Sequence, residues 1–162
     1  MRSTPASLSY DINVRPSVLS DRVEYFQRVE QLIAAVGASG GIVKASDEDI
    51  CWLVDDPDPL PYAEAWCIEY GLALCIVTLG PDGAVAIKPD GRQVRVPGHA
   101  VELVDTVGAG DTFMAGFLAS YAKRPDDVER ALRWGAGASA LVCSRQGANP
   151  PTRAELERFL SA

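Results

Sequence analysis

From Leu72 to Leu79 the chain reads Leu-Ala-Leu-Cys-Ile-Val-Thr-Leu. A nearly continuous apolar run of this kind belongs to a strand covered on both faces, as in a parallel sheet flanked by helices. The segments around it alternate between the two periods. Ser7 to Asn13 and Ile42 to Lys44 read as short strands. Between them Val23, Phe26, Val29, Ile33 and Val36 recur at helical spacing, with Ser20 or Asp21 as the cap and Gly37 as the stop. Ser46 opens a helix to about Val54, and Pro61 suits the first turn of another that runs to about Glu69. Gly80 to Gly83 is a turn. Ala84 to Lys88 and Gln93 to Val96 flank Pro89–Asp90–Gly91, a hairpin signal. Val101 to Val104 reads as a further short strand. Ala109 to Ala122 and Asp126 to Cys143 read as helices, and Thr152-x-x-Glu155 is a capping box for a last helix with Leu156, Phe159 and Leu160 on its apolar face. Strands alternating with helices, with one hairpin inserted, predict an α/β fold with a mostly parallel sheet and helices on both faces. No internal repeat and no second domain boundary is visible, so residues 1–162 are expected to form one domain.

Composition narrows the function classes. The chain has 162 residues, 48% apolar and 23% charged, which suits a soluble globular domain. No apolar run spans a bilayer, and Met1 to Tyr10 does not read as a signal peptide. The net charge of −7, without a basic cluster, argues against nucleic acid and anionic lipid as partners. An anionic substrate would therefore be held by backbone amides, helix N-termini and bound cations. Cys51, Cys67, Cys75 and Cys143 lack C-x-x-C spacing, and Cys75 and Cys143 have apolar neighbours. They read as small hydrophobes in a reducing, cytoplasmic compartment. His99 follows Pro97–Gly98 and has no evident partner in the sequence.

The segment with most chemistry in it is Val104–Asp–Thr–Val–Gly–Ala–Gly–Asp–Thr–Phe113. Here a strand ends, small residues follow, and a helix begins. The first turn of a helix has unpaired N–H groups and a partial positive charge. Gly108, Ala109 and Gly110 let an anion approach those amides, and Asp111 can take a proton from a hydroxyl lying beside that anion. The same pattern also fits a plain turn followed by a carboxylate favourable to the helix dipole. There is no Walker A loop and no Gly-x-Gly-x-x-Gly.

Asp105–Thr–Val–Gly–Ala–Gly–Asp–Thr–Phe113 resembles the C-terminal signature of the ribokinase-like (PfkB) sugar kinases. Three other segments are similar to the family's, in the family's order. They are Asp11–Ile–Asn–Val–Arg–Pro16, Lys44–Ala–Ser–Asp–Glu–Asp49 and Val77–Thr–Leu–Gly–Pro–Asp–Gly–Ala84, and the resemblance is nearest to fructokinases and 2-keto-3-deoxygluconate kinases. It implies a three-layer αβα ribokinase-like fold, of which this chain resembles the C-terminal, ATP-binding portion. The N-terminal half and the lid have no counterpart here.

The resemblance further implies transfer of phosphate from MgATP to a sugar hydroxyl. Asp111 would be the base, and the amides of Gly108, Ala109 and Gly110 the anion hole. Thr78, Leu79, Gly80, Gly83 and Lys44 would lie along the nucleotide, and Asn13 and Arg15 near the phosphates or the acceptor. Asp105 and the backbone of Val107 match a monovalent-cation site, where K⁺ would sit. Val142, Arg145 and Gly147 match its backbone part, and Pro151 stands where some members have a serine ligand. Asp49 falls at a position linked to Mg²⁺, and Ser46 with Asp49 reads equally as a helix-capping pair. The small residues Gly135, Gly137 and Ser139 either permit close packing or leave room for an adenine. A chain so related is expected to expose a sheet edge and an apolar face, and hence to form oligomers or depend on a complementing N-terminal half. Two other functions stay open at this point: a nucleotide-binding module without catalysis, and a kinase acting on a nucleoside. A flavodoxin-like protein would not need Asp111.

Overall fold

The structure, a computed structural model, describes residues 8–18 and 21–161. Among the described residues there are five strands and six helices. They are β1 (Ser9–Asp11), α1 (Arg22–Gly37), β2 (Ile42–Ser46), α2 (Asp47–Val54), α3 (Leu60–Glu69), β3 (Leu74–Thr78), β4 (Ala84–Ile87), β5 (Gln93–Val96), α4 (Ala109–Tyr121), α5 (Val128–Cys143) and α6 (Arg153–Leu160). The sheet order is β1-β2-β3-β4-β5. β1 and β2 are parallel, with Asp11 opposite Lys44, and β2 and β3 are parallel, with Ser46 opposite Thr78. The short turn from Lys88 to Arg92 leaves β4 and β5 no room for a crossover, so they form the antiparallel hairpin expected.

The chain packs as two compact units. The first comprises residues 1–78 and 86–93, the second residues 79–85 and 94–162.

In the first unit every residue of β3 from Leu74 to Val77 is buried, as the apolar run predicts. β2 is equally buried, and one of its residues, Lys44, is charged. Burying each large aliphatic of these strands stabilises the fold by about 1.5–3 kcal/mol. Asp21 caps α1 through the Glu24 N–H, while the alternative cap, Ser20, lies outside the described residues, as does Ser7. The inward face of α1 is Val29, Ile33 and Val36. Val23, expected on that face, is 66% exposed, because it stands one turn before the buried stripe begins. Gly37 ends the helix for a packing reason: a Cβ there would collide with the Tyr70 backbone carbonyl. Ser46 and Asp49 form a complete capping box at the start of α2.

In the second unit α4 lies against α5. Small residues set that distance. A Cβ on Gly116 would stand 2.7 Å from the Trp134 carbonyl oxygen, and one on Gly135 would stand 3.0 Å from the Phe113 ring. Phe117, fully buried, stacks on Tyr121 at 5.3 Å between centroids. α6 opens with the expected Thr152–Glu155 capping box and seats Leu156 and Leu160 near Gly137. Residues 101–104 are not a strand. The Val104 and Asp105 N–H groups both donate to the Cys143 carbonyl oxygen at the end of α5, at 2.9 and 3.2 Å, so no strand takes them up.

Candidate active site

The glycine loop belongs to the second unit. Gly108, with φ 79°, stands at the N-cap of α4 in a left-handed conformation that glycine adopts without strain. No side chain caps this helix. The first helical bond runs from the Thr112 N–H to the Gly108 carbonyl, and the Ala109 N–H folds back to the Thr106 carbonyl at 3.1 Å. Among the described residues, the Gly108, Gly110 and Asp111 amides have no acceptor. Of the three amides expected to form an anion hole, Ala109 is therefore engaged in the turn, and the Asp111 amide is a donor that residue-type reasoning passed over. The Asp111 carboxylate is exposed, in the first turn of the helix. Helix dipole and free amides together make this end of α4 attractive to an anion.

The loop is held from behind. Asp105 accepts the Val107 N–H at 3.0 Å and the Gly147 N–H at 2.9 Å. These two amides, Val107 first, hold its carboxyl below the usual carboxylate range. Val107, Leu103 and Val104 are exposed apolar residues in this stretch.

Leu79, Gly80 and Gly83 also fall in the second unit. Leu79 donates its N–H to the Gly83 carbonyl, closing a tight turn around the 3-10 segment Gly80–Asp82. Gly83 (φ 98°) is crowded by the backbone of Val96, Pro97 and Gly98, so packing within the protein already requires it. Gly80 (φ 54°) faces open space, which leaves its backbone approachable.

The remaining sites are in the first unit. Asn13 is exposed and has φ 45°, a strained value for a residue with a side chain. Its neighbours Ile12 and Val14 are buried, which fixes the outward turn between them. Arg15 is exposed, and its guanidinium donates to the Val14 carbonyl at 2.8 Å. Lys44 is 4% exposed, with Nζ at 3.1 Å from both oxygens of Asp11 across the β1–β2 register. The pairing joins charged residues at matching positions of two adjacent parallel strands, a register that the linear sequence does not display. Thr78 is half-buried, and its hydroxyl donates to the Ala45 carbonyl at 3.4 Å.

Both oxygens of Asp49 are engaged. One takes the Val14 N–H at 2.8 Å and the other the Ser46 N–H at 2.9 Å. The geometry thus favours the capping side of the two readings of Ser46 and Asp49. Among the described residues no group of three His, Cys, Asp or Glu side chains could hold a metal ion. Mg²⁺ needs no such cage, because it travels with phosphate oxygens and one or two carboxylates.

Gly135 and Gly137 are required by contacts with Phe113, Leu156 and Leu160, the packing alternative of the two. Cys67 and Cys75 are buried, and Cys51 and Cys143 are half-buried. Burial pushes the Cys67 thiol up to about 11 and that of Cys75 higher still. His99 does have a neighbour, the Phe159 ring at 5.0 Å, and burial lowers its pKa. It lines an open depression of about 630 Å³ with Pro97, Arg130, Arg133, Trp134 and Leu160. Among the described residues no helix is long and apolar enough to cross a membrane.

A mostly parallel sheet with helices and one inserted hairpin places the chain in the α/β class, with the glycine loop at the start of a helix. The comparisons identify it further. The family model "pfkB family carbohydrate kinase" matches residues 5–155, and the chain belongs to that family. It is 41% identical over 113 residues to a fructokinase of Rhizobium leguminosarum bv. trifolii, covering 70% of this chain and 33% of the relative. A fructokinase of Vibrio alginolyticus is 29% identical over 160 residues, covering 94% of this chain and 50% of the relative. Among solved structures, fructokinase from Vibrio cholerae O395 in a fructose, ADP and calcium ion bound form superposes with a TM-score of 0.79 at 31% identity, covering 94% of this chain and 50% of that one. Aminoimidazole riboside kinase from Salmonella enterica, complexed with aminoimidazole riboside and an ATP analog, gives 0.78 at 27% identity, covering 95% and 52%. The fold is thus the ribokinase-like α/β fold in part, and the chain spans about half or less of the length of these curated relatives.

Proposed function

We propose that this chain carries the nucleotide-binding and base-bearing part of an ATP-dependent sugar kinase, acting on a fructose-like sugar or a 2-keto-3-deoxy sugar acid. The observation that supports it most is the start of α4, where the Gly108, Gly110 and Asp111 amides lack acceptors beside an exposed Asp111 carboxylate. The γ-phosphoryl of MgATP is the anion these amides receive. The carboxylate takes the proton of a primary sugar hydroxyl, whose oxygen forms a bond to phosphorus as the bond to the ADP oxygen breaks. The amides stabilise charge on the transferring group. Gly80 offers open backbone to the nucleotide. Mg²⁺ enters on the nucleotide, and Asp105 with the backbone of Val107 is the place for K⁺.

The test is sugar-dependent ADP formation with fructose and with 2-keto-3-deoxygluconate, comparing the wild type and Asp111→Asn. The expected result is a rate lower by about 10²–10⁴-fold in the variant, with nucleotide affinity retained. Equal rates would remove Asp111 from the chemistry. Nucleotide binding with no turnover on any sugar or nucleoside would favour the binding-module alternative.

A further inference from the structure

The glycine loop leans on the end of α5 and on the irregular stretch that follows it. The Val104 and Asp105 N–H groups end on the Cys143 carbonyl, Asp105 ties the Val107 amide to the Gly147 amide, and a Cβ on Gly108 would stand 3.1 Å from the Ala148 side chain. Three hydrogen bonds of the loop therefore end on this stretch, two at Cys143, the last residue of α5, and one at Gly147. Residues 144–152 form neither helix nor strand, so something else must hold that stretch in register.

Arg145 is the side chain that does so. Its Nη2 donates to Glu155 Oε1 at 2.7 Å, and Nη1 reaches the Asn149 carbonyl at 3.4 Å. The other Glu155 oxygen accepts the Thr152 N–H at 2.7 Å and the Thr152 hydroxyl at 2.8 Å. Glu155 is thus fixed before Arg145 meets it, in the first turn of α6. That helix is anchored in turn by buried Leu156 and by Leu160 beside Gly137. The guanidinium is a rigid fork that spans the turn and grips both its far end and α6.

We infer that Arg145 is a positioning residue for the glycine loop, acting through the 145–149 turn and Asp105; it rests on the reading of that loop as a phosphate site. Its side chain touches no proposed ligand. Removing it loosens the turn, lets the Gly147–Asp105 contact open, and so unsettles the amides at the start of α4.

The experiment has two arms, each on wild type, Arg145→Ala, Arg145→Lys and Glu155→Gln, with melting curves to establish folding. The first arm measures hydrogen exchange at the Val107 and Gly147 amides without nucleotide. The second measures MgATP affinity by calorimetry. The inference expects faster exchange at both amides and affinity lower by roughly tenfold in Arg145→Ala, with partial recovery in Arg145→Lys. Glu155→Gln, which keeps α6 and most of its cap, should move both readouts in the same direction. Unchanged exchange at Val107 and Gly147 in folded Arg145→Ala or Glu155→Gln overturns it, as does a uniform rise in exchange across α5 and α6, which would make the pair merely structural. Wild type that binds no MgATP would remove the phosphate reading, while the exchange arm would still decide the role of Arg145.

Discussion

A carboxylate in the first turn of a helix has two reasons to be there, and Asp111 meets both: it complements the dipole, and it lies beside amides without acceptors. Lys44 and Asp11 are the opposite case, a charge pair whose place is decided by the sheet. With Lys44 nearly enclosed and both Asp11 oxygens at 3.1 Å, Lys44→Ala should destabilise the protein by about 3 kcal/mol, read from denaturant midpoints. Lys44→Met, which keeps the stem, should cost less, and equal losses would show that the charge rather than the packing matters. Glu155 is half-buried and held by the Thr152 amide, the Thr152 hydroxyl and Arg145, which lower its pKa from 4.5 to about 2. A carboxyl depressed in the folded state contributes stability above its unfolded pKa and loses it as pH falls through the folded one. The stability gap between wild type and Glu155→Gln should therefore be full above about pH 4.5 and shrink toward pH 2. A gap that does not change with pH would mean that the charge is irrelevant.

At the scale of elements, small residues decide how close α4 and α5 approach. Gly116→Ala places a methyl 2.7 Å from the Trp134 carbonyl oxygen, a backbone atom that cannot step aside. The expected loss is about 1–3 kcal/mol, with an unchanged denaturant slope; a neutral result would mean that the helices separate freely. Much of this level is legible in the sequence. The run Leu72–Leu79, the Ser46–Asp49 and Thr152–Glu155 boxes and the hairpin around Pro89–Asp90–Gly91 each announce a local structure with a local cause. The errors have non-local causes. Val101–Val104 has strand composition, but the amides at its end go to Cys143, far along the chain. Val23 fits the helical period yet lies beyond the stretch of α1 that packs. Glycines could be recognised but not sorted: Gly83 serves packing against residues 96–98, whereas Gly80 is open. The glycine loop was legible because its chemistry is contiguous. The Asp11–Lys44 and Arg145–Glu155 pairs were not, because each joins residues that only the fold brings together.

For the molecule as a whole, two compact units share the proposed residues. Asn13, Arg15, Lys44, Asp49 and Thr78 belong to the first, and Leu79, Gly80, Gly83, Asp105, Val107, Gly108, Ala109, Gly110 and Asp111 to the second. Large apolar side chains are exposed in both, Val18 and Val23 in one and Leu103, Val104 and Val107 in the other. Family membership accounts for the fold and for the signature around Asp111, and the chain covers about half of the related structures. What the family makes of that signature depends on whether this polypeptide receives a triphosphate at the start of α4. Calorimetric titration of MgATP into the wild type and into Gly110→Val, both shown to be folded by their melting curves, asks this directly. Binding by the wild type with a loss of at least about tenfold in the variant is the predicted result, since the valine side chain crowds the amides that face the phosphate. Equal binding by both, or none by the folded wild type, would contradict the placement of the phosphate on this loop.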